Sequence, residues 1–207
     1  PLALITGVGP GTGASVARRF AAAGYRTALL ARNEKRLNAL ASELPDSKAI
    51  VCDVTDSEAL ARAVEAAGPV DVVVHNAVGG GWGTFSEIEP EMLENNFQVN
   101  VMALLHLARL TTPSMVQAGK GALIVTGNTS ALRGRAPFAG FAPTKAAQRI
   151  LAESMARELG PKGVHIAYLV IDAVIDFRAV FQQTFDQLAF ENMPSLLKPK
   201  TGKLGLQ

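Results

Sequence analysis

Four glycines fall within seven residues near the start of the chain, Gly7-Val-Gly9-Pro-Gly11-Thr12-Gly13. A polyphosphate needs backbone N–H groups brought close, and a Cβ would hold it off. A helix N-terminus adds a dipole that favours negative charge. The turn stands between an apolar run, residues 2–5, and a helix-forming run, residues 14–23. Strand, glycine turn, helix is the order that presents a pyrophosphate to the first helical amides. Gly7, Gly9, Gly11, Thr12 and Gly13 therefore read as a dinucleotide site, against the plainer reading of a tight turn.

The elements that must position this turn follow from periodicity. Apolar runs at residues 27–30, 49–52, 70–75, 122–126 and 164–170 read as further strands, with amphipathic stretches between them as helices. Asn33 is placed to cap a helix whose apolar face is Leu37, Leu40, Ala41 and Leu44, and Pro45 closes it. Thr55-Asp-Ser-Glu58 has capping-box spacing ahead of Leu60, Val64 and Ala67. Residues 79–83 read as a mobile glycine loop. A long helix is expected over residues 90–110, opening on Pro90 and closing at Leu110. Another is expected over residues 138–159, starting at Phe138 or Pro143, ending at Leu159 and stopped by Gly160-Pro161. Near-continuous apolar strands alternating with helices predict an α/β fold. It is a doubly wound, Rossmann-type parallel sheet of six or seven strands, with helices on both faces and ligand at the strands' carboxyl ends. Residues 1–207 read as one domain. A further amphipathic helix is expected over residues 181–190, within a lid or tail at 178–207.

The chain is 207 residues long, with 48% hydrophobic and 18% charged residues, which suits a single large core. With 20 basic against 18 acidic residues and no basic stripe, no nucleic-acid partner is expected. The lone Cys52, read as part of an apolar strand, leaves no disulfide within the chain and suits a reducing compartment. No apolar run reaches the ~18 residues of a spanning helix, and no leader precedes the first strand. A cytoplasmic protein without membrane or metal is the expectation. Its start directly on a strand leaves room for further native residues.

The spacing Thr6-Gly7-x-x-x-Gly11-x-Gly13 resembles the T-G-x-x-x-G-x-G pattern of the short-chain dehydrogenase/reductase family, and the resemblance extends to about Val170. It implies hydride transfer between a nicotinamide and a carbinol or carbonyl carbon. In that chemistry a Tyr trades the proton and a Lys lowers its pKa and holds the ribose. A Ser orients the substrate oxygen, and an Asn keeps a water in the relay. On this pattern Asn100 is the Asn, and Lys145 in Phe141-Ala-Pro-Thr-Lys145 is the Lys. The Tyr position holds Phe141, which has no proton to give. The Ser position holds Asn128, with Thr129 and Ser130 the nearest hydroxyls. Loss of a positioned acid costs roughly 10²–10⁴ in rate. Tyr25 and Tyr168, the only tyrosines, border or lie within strands two and six and are poor substitutes.

The resemblance also speaks to the cofactor. An acidic residue ending strand two would select NAD, and Ala31 stands there. Arg32 follows, and its guanidinium can clamp the extra phosphate of NADP; alternatively it belongs, with Lys35 and Arg36, to a solvated helix start. NADP is expected over NAD. Asp53 and Val54 match the pair that ends strand three, where the carboxylate accepts from the adenine amino group, or else Asp53 only caps its turn. Asn76 and Ala77 match the middle of the family's N-N-A-G, with His75 and Val78 replacing the outer residues. His75 reads as a packed, hydrogen-bonded histidine. Residues 171–176 lack the family's Pro-Gly.

Two functions follow. One is an NAD(P)-dependent oxidoreductase on a small carbonyl or alcohol, with an atypical proton relay. The other is a nucleotide-binding pseudoenzyme, a sensor or scaffold without turnover. The resemblance implies a homodimer or homotetramer through the helices over residues 90–110 and 138–159.

Overall fold

Strands that are apolar on both faces must be covered on both, and the chain meets this with two separate cores. In the computed structural model, which describes residues 1–171, β1 (Leu2–Thr6), β2 (Arg26–Ala31), β3 (Ser47–Val51), β4 (Val72–His75), β5 (Gly121–Asn128) and β6 (Val164–Ile171) form one parallel sheet. Their order is β3-β2-β1-β4-β5-β6. Ala3 and Ile5 of β1 face one way, packing with Val16 and Phe20 of α1 (Thr12–Ala22) and Leu37 of α2 (Glu34–Glu43). Leu2 and Leu4 face the other way. They join Leu60 of α3 (Ser57–Ala67), Leu104 and Leu107 of α5 (Ala103–Gln117), and Met155 of α6 (Ala142–Leu159). The alternation within one strand is the period-2 geometry of a β-strand, and it produces the doubly wound arrangement expected from the sequence. The order reverses between β1 and β4, where the carboxyl ends of neighbouring strands open a crevice.

Several local expectations shift. The helix expected over residues 90–110 is α4 (Pro90–Phe97), a π-helical turn (Gln98–Met102) and α5, which continues to Gln117. The Thr111-Thr112-Pro113 run obscured this end. Both threonines are buried, and the Thr111 hydroxyl donates to the Leu107 carbonyl at 2.8 Å. The helix expected from Phe138 or Pro143 begins at Ala142, next to the second of these. Residues 138–141 instead turn, the Phe138 carbonyl accepting from the Phe141 and Ala142 amides at 3.0 and 2.9 Å. Pro143 sits in the first turn of α6, where its missing N–H costs nothing. Asn33 caps α2 as expected, but the cap of α3 is Asp56, not Thr55. The Asp56 carboxylate accepts from the Glu58 and Ala59 amides, while Thr55 turns back to Asp53. Cys52 is buried just past the end of β3. Residues 181–190, the tail and residues 172–176 lie outside the described residues, and six strands are present among those described.

Candidate functional site

The glycine turn between β1 and α1 is folded too tightly for side chains. Gly7 has φ +67°, and a Cβ there would lie 2.4 Å from the Ala77 amide nitrogen. A Cβ on Gly13 would lie 2.5 Å from the Gly7 carbonyl oxygen. Gly9 is different, since a Cβ on it would meet nothing within 4 Å. Pro10 has no N–H, and the Thr12 and Gly13 amides at the start of α1 find no acceptor among the described residues. Open donors at a helix N-terminus, over a turn without charge, fit a diphosphate.

Thr6 and Asn76 hold this turn against the end of β4. The Thr6 hydroxyl oxygen accepts from the Asn76 and Ala77 amides at 3.3 and 3.4 Å. The Asn76 carboxamide donates to the Gly7 carbonyl at 2.8 Å and accepts from the Thr126 hydroxyl at 3.0 Å. With both lone pairs engaged, the Thr6 hydroxyl places its proton on Nδ1 of His75, 3.1 Å away. That assigns the Nε2–H tautomer from the network, and Nε2 is buried without a hydrogen-bond partner among the described residues. His75 is packed and hydrogen-bonded, in line with the reading from sequence. Burial first, and the Lys145 ammonium second, pull its pKa down to about 3, against a smaller opposing effect of the Val99 backbone. His75 is neutral.

Across the crevice, Asn100 is fully buried in the π-helical turn. Its carboxamide accepts from the Gly79 amide at 3.0 Å and donates to the Gly79 carbonyl and Thr144 hydroxyl at 2.9 and 2.8 Å. The 79–83 loop, expected to be mobile, is thus tied at one end. At the other, the Gly83 amide donates to the Pro137 carbonyl and the Gly83 carbonyl accepts from the Ala139 amide. Trp82 meets Phe138 edge-on at 4.5 Å between centroids, and Gly80 lies beside the Phe141 ring.

Lys145 is only 2% exposed, unusual for a lysine on a helix. Its ammonium donates to the Thr126 carbonyl at 3.1 Å and to the carboxamide oxygen of Gln148. Burial pulls its pKa down to about 8. Phe141 immediately precedes α6 and is half-buried, its carbonyl accepting from the Thr144 and Lys145 amides. Asn128 ends β5 and caps the short turn Thr129–Ala131, its carboxamide oxygen accepting from the Ser130 amide at 3.1 Å. That oxygen is thus engaged by the backbone of the turn it caps. Tyr25 is packed in the core against Phe20. Tyr168 comes closer, its hydroxyl donating to the Lys145 carbonyl at 3.3 Å. Burial pushes its pKa up to about 12, so it is a structural donor rather than a ready acid.

At the far end of the crevice Arg32 and Asp53 face each other at 3.8 Å, the Arg32 side chain 81% exposed. Asp53 also accepts from the Thr55 amide and hydroxyl at 3.0 and 2.8 Å, which with Arg32 holds its carboxyl below the usual range. The turn-capping alternative for Asp53 is therefore realised, with its second oxygen towards Arg32. Val54 is buried, whereas Val78 is well exposed.

Sequence reasoning missed Gln148 and Thr144. Gln148 lies one turn beyond Lys145, a polar residue at a fully buried position. That spacing was a usable signal, whereas the π turn left no sequence mark.

Comparison with known proteins bears on this geometry. The model of the family described as short chain dehydrogenase matches residues 1–175. The chain is 33% identical over 165 residues to D-erythrulose reductase of Gallus gallus, covering 79% of this chain and 67% of that protein. It is 32% identical over 165 residues to L-xylulose reductase of Mesocricetus auratus, covering 79% and 68%. A short-chain dehydrogenase structure from Streptomyces avermitilis matches with a TM-score of 0.79 at 30% identity, over 82% of this chain and 64% of that one. One from Sphingobium yanoikuyae in complex with NADPH gives 0.79 at 30%, over 84% and 72%. This chain thus spans less than two thirds of the Streptomyces protein.

The buried His75 makes stability depend on pH. Its folded pKa lies below the unfolded value of 6.5, so between 6.5 and about 3 the unfolded chain binds the extra proton. Stability is full above 6.5 and falls on acidification through that window, each unit of depression being worth about 1.4 kcal/mol. Urea unfolding between pH 7 and pH 4 should show a smaller loss in His75→Asn than in the unmutated chain. Equal losses would refute the assignment.

Proposed function

The chain belongs to the short-chain dehydrogenase family, and on that premise we propose that it is an NADP-dependent oxidoreductase acting on a small carbonyl or alcohol. The observation that carries the reading is the glycine turn with its open Thr12 and Gly13 amides at the sheet's switch point. A bound nicotinamide would supply or accept the hydride. Gly7, Gly9, Gly11, Thr12 and Gly13 form the diphosphate cradle. Arg32, held only loosely by Asp53, is free to swing to a ribose phosphate. Asp53 and Val54 border the adenine, and Asn76 and Ala77 close the floor of the crevice. Lys145 and Asn100 stand at the ribose and reacting end. Alkoxide charge developing there needs a placed donor. Phe141 offers none, so the proton would pass through a neighbouring hydroxyl of Thr129 or Ser130 or a water on Lys145, with the Asn128 carboxamide able to orient a substrate oxygen but not to hand on a proton.

A second reading is a nucleotide-binding pseudoenzyme, favoured by Phe141 and by the engagement of the Lys145 ammonium with Thr126 and Gln148. In either case a homodimer or homotetramer is proposed, through α4–α5 and α6. Phe97, Leu110 and Ile150 on those helices are exposed apolar residues. No helix among the described residues is long and apolar enough to cross a membrane. A cytoplasmic setting, a small-molecule substrate and no nucleic-acid partner belong to the same proposal.

Three measurements test these points. NADPH should bind more tightly than NADH, and Arg32→Ala should weaken NADPH by about tenfold, the scale of one lost charge-assisted contact, while sparing NADH. Equal affinities in the unmutated protein refute the preference. Phe141→Tyr with Asn128→Ser should raise NADPH-dependent reduction across a carbonyl panel by about tenfold or more, with Phe141→Tyr alone gaining less. If the double variant binds NADPH normally and gains nothing, the pseudoenzyme reading replaces the enzyme. Light scattering at micromolar concentration should give a dimer or tetramer, and a monomer removes the assembly.

A further inference from the structure

Among the described residues, the groups that hold the charge of Lys145 are neutral. From β5, the Thr126 carbonyl accepts from its ammonium at 3.1 Å. From α6 itself, Gln148 Oε1 accepts a second N–H. β6 contributes the Tyr168 ring, its centroid 6.0 Å from the nitrogen, with a hydroxyl that donates to the Lys145 backbone. β4 contributes neutral His75. Arg149 acts on Tyr168, and no carboxylate lies within ion-pair distance of Lys145 among the described residues.

Gln148 reaches further. Its Nε2 donates to the backbone carbonyl of Asn100 at 2.6 Å, with the whole side chain buried. This contact fixes the orientation of the carboxamide, because only the nitrogen can face a carbonyl. The oxygen therefore faces the ammonium. A water in that place could turn and hand on a proton. The carboxamide cannot, since its oxygen only accepts and its nitrogen only donates. We propose that Gln148 is a positioning residue that holds Lys145 as a fixed cation and closes the path from its ammonium to the Asn100 carbonyl. The consequence for ligand binding rests on the dinucleotide reading above; the hold on Lys145 does not.

The test follows the Lys145 Nζ resonance with ¹⁵N-labelled lysine through a pH titration of the unliganded protein, comparing the native chain with Gln148→Leu and Gln148→Glu. Removing the acceptor should lower the Lys145 midpoint, and placing a carboxylate there should raise it. Each shift should be about one pH unit or more. Opposite directions from two substitutions at one buried site are not the mark of general loosening. NADPH affinity, measured by fluorescence in parallel, should lose its high-pH limb earlier in Gln148→Leu and later in Gln148→Glu. Should Gln148→Leu fail to fold, Gln148→Met takes its place with the same expected direction, and Gln148→Glu decides independently. An unchanged midpoint in a folded variant overturns the proposal. If the native chain binds no NADPH, the cofactor reading falls instead, and the titration still decides whether Gln148 holds Lys145.

Discussion

The arrangement depends on one buried ammonium. Withdrawing a lysine charge from water costs several kcal/mol unless oxygens replace the water, and Lys145 is 2% exposed. Among the described residues no carboxylate pairs with it, and neutral oxygens take that place. That requires β5 to run on past Thr126, α6 to begin after Phe141 so that residues 145 and 148 share a face, and the π-helical turn to present the Asn100 carbonyl to Gln148. A π turn inside a helix is an unusual local geometry that often marks a functional site. Here it places both the side chain and the carbonyl of Asn100 in the same buried network.

The charge also constrains its neighbours. His75, fully buried and close enough to feel Lys145, must stay neutral, because a second buried cation would be unpaired and repelled. Thr6 sets its tautomer, and the same hydroxyl receives the amides of residues 76 and 77. The glycine turn and the buried lysine are thereby linked through the ends of β1, β4 and β5, a few hydrogen bonds apart. Asn76, bonded to both the Gly7 carbonyl and the Thr126 hydroxyl, is the direct bridge.

Binding and chemistry are separable in such a site. The cradle needs backbone donors and close approach, which glycines provide whatever stands at position 141. Proton transfer needs a titratable hydroxyl, and Phe141 has none. The two requirements fall on different residues. The likeness to reductases therefore supports the scaffold more strongly than the turnover, all the more because the chain spans 64% of the Streptomyces structure it matches.

What the sequence determined by itself was the alternation of strand and helix, the parallel sheet and the glycine turn. These are carried by local periodicity and by glycines that no other residue can replace at such contacts, as at Gly7 and Gly13. The resemblance to the family marked Asn100, Lys145, Asn128 and Phe141, without saying how they face one another. Only the tertiary structure decided that Asn128 turns its oxygen to the Ser130 amide, that Asp53 shares its carboxylate between Thr55 and Arg32, and that Gln148 completes the Lys145 network. Boundaries slipped where threonines or a proline broke an apolar pattern, as after Leu110, because their burial is settled by packing and not by their own preference. A hydrogen-bond partner is chosen by which groups the fold leaves unsatisfied nearby. Residues 75, 100, 126, 145 and 148 become neighbours only when the strands and α6 have packed.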